Sequence, residues 1–386
     1  MRVNFNEITA STINFNINDI EVQDIPIATG GQGEVYKSID GKFAVKILFN
    51  DIPDPKIEKI IKKFSQKFMN GEINFNTPGF LAFPLLSFKT YLNGKEVRGT
   101  LAHYLPENQY LSLDQALNTV IQNWNLRQKI QLCGQIAQFF DKIQSIGYVY
   151  VDVSWENIKI SRDGKVAFLD FESGGFLDTP DAEPATLGKT EGFEAPELAL
   201  SPQPNISVAT DWWAMAVLFF IILTGYHPFT FIDSISTARE YVKSVKWPNF
   251  HPKFCNNNYS EFNHILKSID QSLIKLFEKT FNDGFEAPSS RVTPFIWLQT
   301  FNNLFNPKFV ELTAKSKFIS KDKKLIFLYW KTENIKFIII KEIHPTKLFP
   351  PSGKFTLITD KKINQLTLIA IPKQGHQKEI TQTVEI

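Results

Sequence analysis

Two periodicities that do not belong to one architecture divide this chain. Up to residue 306, strand-like runs alternate with amphipathic helical patterns; from residue 307 onward every apolar run has the alternation of a strand. A chain of this kind has to build at least two separate cores. Its 386 residues suffice, since domains take roughly 100 to 200 residues each. Charge divides at the same place. Residues 307–386 hold 15 Lys and 7 acidic residues, a charge of +8, and the rest of the chain stands at −6, so the total of +2 describes neither part.

Composition narrows the class further. With 43% apolar and 13% aromatic residues the chain is globular rather than disordered, and its 35 Phe read as ordinary core. Only Cys133 and Cys255 occur, which argues against a disulfide framework and makes a reduced, cytoplasmic setting the expectation. Met1 to Glu7 carry Asn and Glu where a signal peptide needs unbroken apolar sequence. The longest apolar run, Trp212 to Leu223, is too short to span a bilayer and reads as a buried helix. No membrane span and no nucleic acid partner are expected, because basic and aromatic residues do not cluster together.

Three segments follow. In 1–106, strands at Glu34–Lys37 and Phe43–Leu48 flank Asp40-Gly41, a helix runs through Ile57, Ile60, Ile61 and Phe64, and two more strands meet through Asn93-Gly94. In 107–306 the pattern is helical at Asn125–Ile146, Asp211–Leu223, Ser236–Val245, Ser268–Phe281 and Pro294–Leu304, with one hairpin around Asp163-Gly164. In 307–386 there are strands alone, at Leu325–Lys331, Ile335–Lys341, Gly353–Thr359, Gln365–Ile371 and Ile380–Ile386. Half-buried antiparallel strands with one apolar face each are best satisfied by a β-sandwich.

Chemistry concentrates in the first two segments. Gly30-Gly31-Gln32-Gly33 between two strands lets backbone approach phosphate oxygens, although alone it is also what a glycine-rich hairpin looks like. Lys46 lies on the next strand, within reach of anything the loop covers. Further on, Asp152 and Asn157 stand five residues apart before the hairpin that delivers Asp170 in Phe168-Leu169-Asp170-Phe171-Glu172. Phosphoryl transfer needs a carboxylate to orient the attacking hydroxyl and hard oxygen ligands for Mg²⁺, and this order supplies both.

On these motifs residues 20–304 resemble the eukaryotic-like serine/threonine protein kinase family. Ala195-Pro196-Glu197 is similar to the end of its activation segment, Asp211-Trp212-Trp213 to the start of its central helix, and Arg291 to the late arginine that pairs with that glutamate. The resemblance implies an α+β bilobal fold, with a small β-rich lobe over 1–106 including an N-terminal extension, and a helical lobe over 107–306. It implies ATP and Mg²⁺ as cofactors. Gly30, Gly31 and Gly33 would cover the phosphates, Val35 and Ala44 would face the adenine with the stretch near His103 to Leu105, and Lys46 would hold the α- and β-phosphates. Asp152 would be the catalytic base, and Asn157 and Asp170 the metal ligands. Glu58 is the candidate partner of Lys46, with Glu72 its competitor. Thr190 is similar to the threonine of serine/threonine-directed members, and Thr179, Thr186 and Thr190 are available phosphorylation sites. Residues 307–386 resemble an immunoglobulin-like sandwich, expected as an interaction module, in which Trp330 is core.

Four positions depart from the family's pattern: Ala28 for the first loop glycine, Val151 for the arginine before the base, Ser154 for a lysine after it, and Glu172 for the glycine after Phe171. Glu172 is expected as a solvated or capping acid, a spare metal ligand being the other reading. These changes are similar to a divergent bacterial branch of the family, whose members are often encoded beside a metal-dependent protein phosphatase and a von Willebrand A-type protein, which makes both plausible partners. The expectation is an ATP-dependent kinase acting on Ser/Thr hydroxyls of protein substrates, itself included. The four departures also fit a pseudokinase scaffold. A kinase of small molecules agrees less well with the activation-segment ending and Asp211.

Overall fold

Alternation along Phe43–Leu48 turns Val45 and Ile47 to one side of a sheet and Ala44 and Lys46 to the other. A computed structural model describes residues 1–13, 18–30, 33–49, 56–179, 183–184, 192–201, 205–306, 308–360, 362–372 and 379–386. Gly31, Thr186 and Thr190 lie outside them. The sheet has six antiparallel strands, in the order Glu7–Ser11, Leu86–Leu92, Lys95–His103, Phe43–Leu48, Gly33–Lys37, Ala28–Thr29. Its covered face buries Val45, Ile47, Leu86, Phe88 and Leu101. The expected N-terminal extension is an integral part of this sheet, because Glu7–Ser11 pairs with Leu86–Leu92.

The helix over this lobe is Lys56–Met69, with Ile57, Ile60, Ile61 and Phe64 buried at the predicted spacing. In the next lobe Leu126–Gln144 starts at a reciprocal cap, Asn125 accepting from the Gln128 backbone and the Gln128 side chain accepting from that of Asn125. Val208–Thr224 contains the long apolar run and is buried almost throughout, ending at Gly225 in the left-handed conformation. No helix among the described residues is long and apolar enough to cross a membrane.

The hairpin does most to position the site. Ile158–Ser161 pairs with Val166–Phe168 around Gly164, which has φ 86°. Asn157 therefore ends one strand where Leu169 leaves the other, and the Leu169 N–H donates to the Asn157 carbonyl at 2.8 Å. Residues five and eighteen positions after Asp152 are brought side by side in this way.

The chain divides into two compact units, Met1–Leu298 and Gln299–Ile386. The second has two antiparallel sheets, one of Lys308–Phe318, Lys323–Glu333 and Ser352–Asp360, the other of His344–Phe349, Ile335–Ile340, Gln365–Pro372 and Ile380–Glu385. Two strands, Lys308–Phe318 and His344–Phe349, come in addition to the five expected. Ile326, Leu328, Trp330, Ile338, Leu366 and Leu368 from both sheets form one core. Trp330 is core as expected, its indole N–H donating to the Pro350 carbonyl at 2.9 Å.

Candidate active site

The expected catalytic loop is held from inside. Val151 has φ 66°, a left-handed conformation that costs a β-branched residue about 1–2 kcal/mol. Asp211, buried at the start of the central helix, accepts the backbone N–H groups of Tyr150 at 2.7 Å and Val151 at 2.8 Å and so over-determines that turn. Ser154 has a structural use where the family has lysine: its hydroxyl accepts the Asn157 N–H at 3.0 Å and closes the loop. Asn157 in turn donates its side-chain amide to the Asp152 carboxylate at 3.0 Å.

Asp170 faces this loop. Its Oδ1 lies 3.2 Å from the Lys46 ammonium and its Oδ2 accepts the Ser173 hydroxyl at 3.1 Å. Its φ of 49° is left-handed, which Asp tolerates better than most residues. Two buried tyrosines fix the chain on either side. Tyr150 donates its hydroxyl to the Leu169 carbonyl, and Tyr148 donates to the Phe171 carbonyl at 2.5 Å. Phe171 itself is buried against Phe83, ring centroids 4.7 Å apart, with Phe80, Phe139 and Tyr150 around it. Nothing in the local sequence of Tyr148, Tyr150 and this aromatic cluster distinguishes them from ordinary core.

The expected partner of Lys46 needs correction. Glu58 sits in the first turn of its helix, where the fork of Arg98 on the neighbouring strand takes it at 3.1 Å. Glu72 follows the end of that helix and pairs with Lys67 at 2.7 Å. Neither carboxylate is on Lys46. Glu172 is, with Oε1 3.4 Å from the ammonium. It is only 8% exposed, so it is neither the solvated nor the capping acid expected. Burial works against the charge on Lys46, but the Glu172 and Asp170 carboxylates outweigh it and hold the amine above its ordinary pKa. For Asp170 burial is likewise outweighed, chiefly by Lys46, and its carboxyl is lowered. For Glu172 burial prevails over the pull of Lys46 and, with Asp170 adding like charge, pushes the carboxyl up.

The loop glycines divide their work. A Cβ on Gly33 would stand 2.2 Å from the Ile47 carbonyl oxygen, so the close approach of two strands already requires that glycine. Gly30 meets nothing within 4 Å, which leaves its open side to a ligand. Val35 and Ala44 share the Lys46 face of the sheet, since Val35 pairs with Lys46 and Ala44 lies two residues before it on the same strand. Asp170 offers a carboxylate and Asn157 an amide oxygen that no donor among the described residues reaches, the hard oxygens that Mg²⁺ takes.

Farther out, Arg291 grips Glu197 with both arms of its fork, at 2.8 and 2.6 Å, and donates to the Gly284 and Ala209 carbonyls. Stacked over Trp213, its side chain is fully buried. It is the structural ion pair that the two motifs implied.

The first unit thus brings together a lysine over paired carboxylates, an Asp hydrogen-bonded by an Asn, and a buried Glu–Arg pair. The Protein kinase domain family matches residues 26–303, and the chain belongs to that family. It is similar to serine/threonine-protein kinase PknA of Mycobacterium tuberculosis, 27% identical over 234 residues covering 58% of this chain and 51% of that protein. It is also similar to the cAMP-dependent protein kinase catalytic subunit of Arthrobotrys oligospora, 34% identical over 127 residues, 32% of this chain and 23% of the relative. A third relative is cAMP-dependent protein kinase catalytic subunit 3 of Drosophila melanogaster, 37% identical over 95 residues, 25% of this chain and 15% of the relative. The chain matches about half the length of PknA and less of the other two.

Proposed function

We propose that this protein is an ATP- and Mg²⁺-dependent serine/threonine protein kinase of the cytoplasm, with protein substrates and a C-terminal immunoglobulin-like interaction module. The observation that carries the reading is the meeting of Lys46 and Asp170, 124 residues apart in sequence, at 3.2 Å, next to the loop in which Asn157 holds Asp152 at 3.0 Å. When bound, Mg²⁺ supplies positive charge to the phosphate oxygens, and Asp170 and Asn157 would hold it. Lys46 would hold the α- and β-phosphates of ATP, Gly30, Gly31 and Gly33 would cover the phosphates, and Val35 and Ala44 would take the adenine. Asp152 would accept a hydrogen bond from the substrate hydroxyl and orient it for attack, Asn157 keeping that carboxylate in place.

The interaction-module reading is supported by strand order. Counting along the second unit, the first, second and fifth strands make one sheet, and the fourth, third, sixth and seventh make the other. A metal-dependent protein phosphatase and a von Willebrand A-type protein are proposed as functional partners of the protein. Incubation with labelled ATP and Mg²⁺ should give autophosphorylation or transfer to a generic protein substrate, and Asp152→Ala should abolish it. Transfer at full rate in that variant would defeat the assignment.

A further inference from the structure

We propose that Glu172 is the positioning residue for Lys46, doing from the metal-binding segment what the family assigns to a glutamate of the helix above. The proposal rests on the kinase reading of the site. Three observations carry it. Glu172 reaches the Lys46 ammonium at 3.4 Å from a nearly water-free position, where a carboxylate depends on a charged partner. Both glutamates that could have come from the helix or its end are engaged elsewhere, Glu58 by Arg98 and Glu72 by Lys67.

The segment that carries Glu172 is also fixed at several points. Tyr148 holds the Phe171 carbonyl, Lys56 donates to the Ser173 carbonyl at 3.4 Å, and a Cβ on Gly174 would stand 2.2 Å from the Tyr148 hydroxyl oxygen. Glu172 is therefore presented by a rigid backbone, as a positioning residue must be. Asp170 alone would be a poor anchor for Lys46, because the same carboxylate has a metal to hold. Glu172 gives the lysine a partner that the metal does not need.

The full chain tests this in two ways. Lysine-directed chemical labelling read by mass spectrometry should show several-fold faster modification of Lys46 in Glu172→Gln than in wild type, with Glu172→Asp between them and Glu58→Gln like wild type. In phosphoryl-transfer assays Glu172→Gln should lower kcat about 10- to 100-fold, the scale of a catalytic group misplaced by about 1 Å, with the Mg²⁺ concentration for half-maximal rate unchanged. Glu172→Gly, which installs the family's usual residue, should match Glu172→Gln. Wild-type labelling of Lys46 in Glu172→Gln would overturn the proposal while leaving the kinase assignment standing. So would a raised Mg²⁺ requirement with labelling unchanged, which would make Glu172 a metal ligand. A wild-type chain that transfers no phosphate would instead remove the kinase reading, and the labelling would still decide whether Glu172 holds Lys46.

Discussion

Arg291 shows how much one side chain can organise. All of its hydrogen bonds go to groups that water does not reach easily, and Glu197 has no second cation at comparable distance among the described residues. Arg291→Ala should cost about 3–5 kcal/mol, because it strands a carboxylate in the interior, and the loss is measured by chemical denaturation. Arg291→Lys should recover little of it, since an ammonium cannot reproduce the planar fork. His227 carries a pH effect. Its ring nitrogen meets the Gly192 carbonyl at 2.8 Å, and burial lowers its pKa below the ordinary value despite that contact. The unfolded chain then takes up its proton near pH ~6.5 while the folded chain stays neutral there, so acidification below that point favours unfolding. Denaturation midpoints should fall with pH below about 6.5 in wild type, and His227→Gln should flatten that part of the profile.

At the level of elements, the aromatic cluster connects packing to chemistry. Phe83 is fully buried among Phe64, Phe68, Phe80 and Phe171. Phe83→Ala should destabilise by about 3–5 kcal/mol, and assays below its melting temperature should show reduced kcat, because the cavity lies against the residue after Asp170. Local signals made much of this fold legible. Asp163-Gly164 and Asn93-Gly94 mark turns by their own chemistry, and the helix over Ile57, Ile60, Ile61 and Phe64 declares its buried face by spacing. Asp152, Asn157 and Asp170 were legible as a set because one hairpin links them. The partner of Lys46 was not, since that depends on where a helix starts and which cation reaches its first turn, and neither Glu58 nor Glu72 reveals this in its neighbourhood. Lys308–Phe318 and His344–Phe349 give a weak strand signal for another reason. They lie at sheet edges and expose most of their side chains, so the apolar alternation that signals a strand is diluted by Lys, Ser and Thr.

For the molecule as a whole, the charge asymmetry seen in the sequence accompanies a division into two compact units, the second with a hydrophobic core of its own. Trp330 is central to the second. Trp330→Ala should lower the stability of that unit by about 3–5 kcal/mol, and differential scanning calorimetry of the full chain should show its transition moving while that of the first unit stays in place. The first unit has a further property that follows from where Glu172 lies. A site in which helix and metal-binding segment move independently has four combinations of positions, only one of them competent. Here the partner of Lys46 and the carboxylate expected to take the metal are two residues apart on one backbone. If Glu172 positions Lys46 as proposed, displacing that stretch would take the partner of the lysine and the metal carboxylate away together, and returning it would restore both.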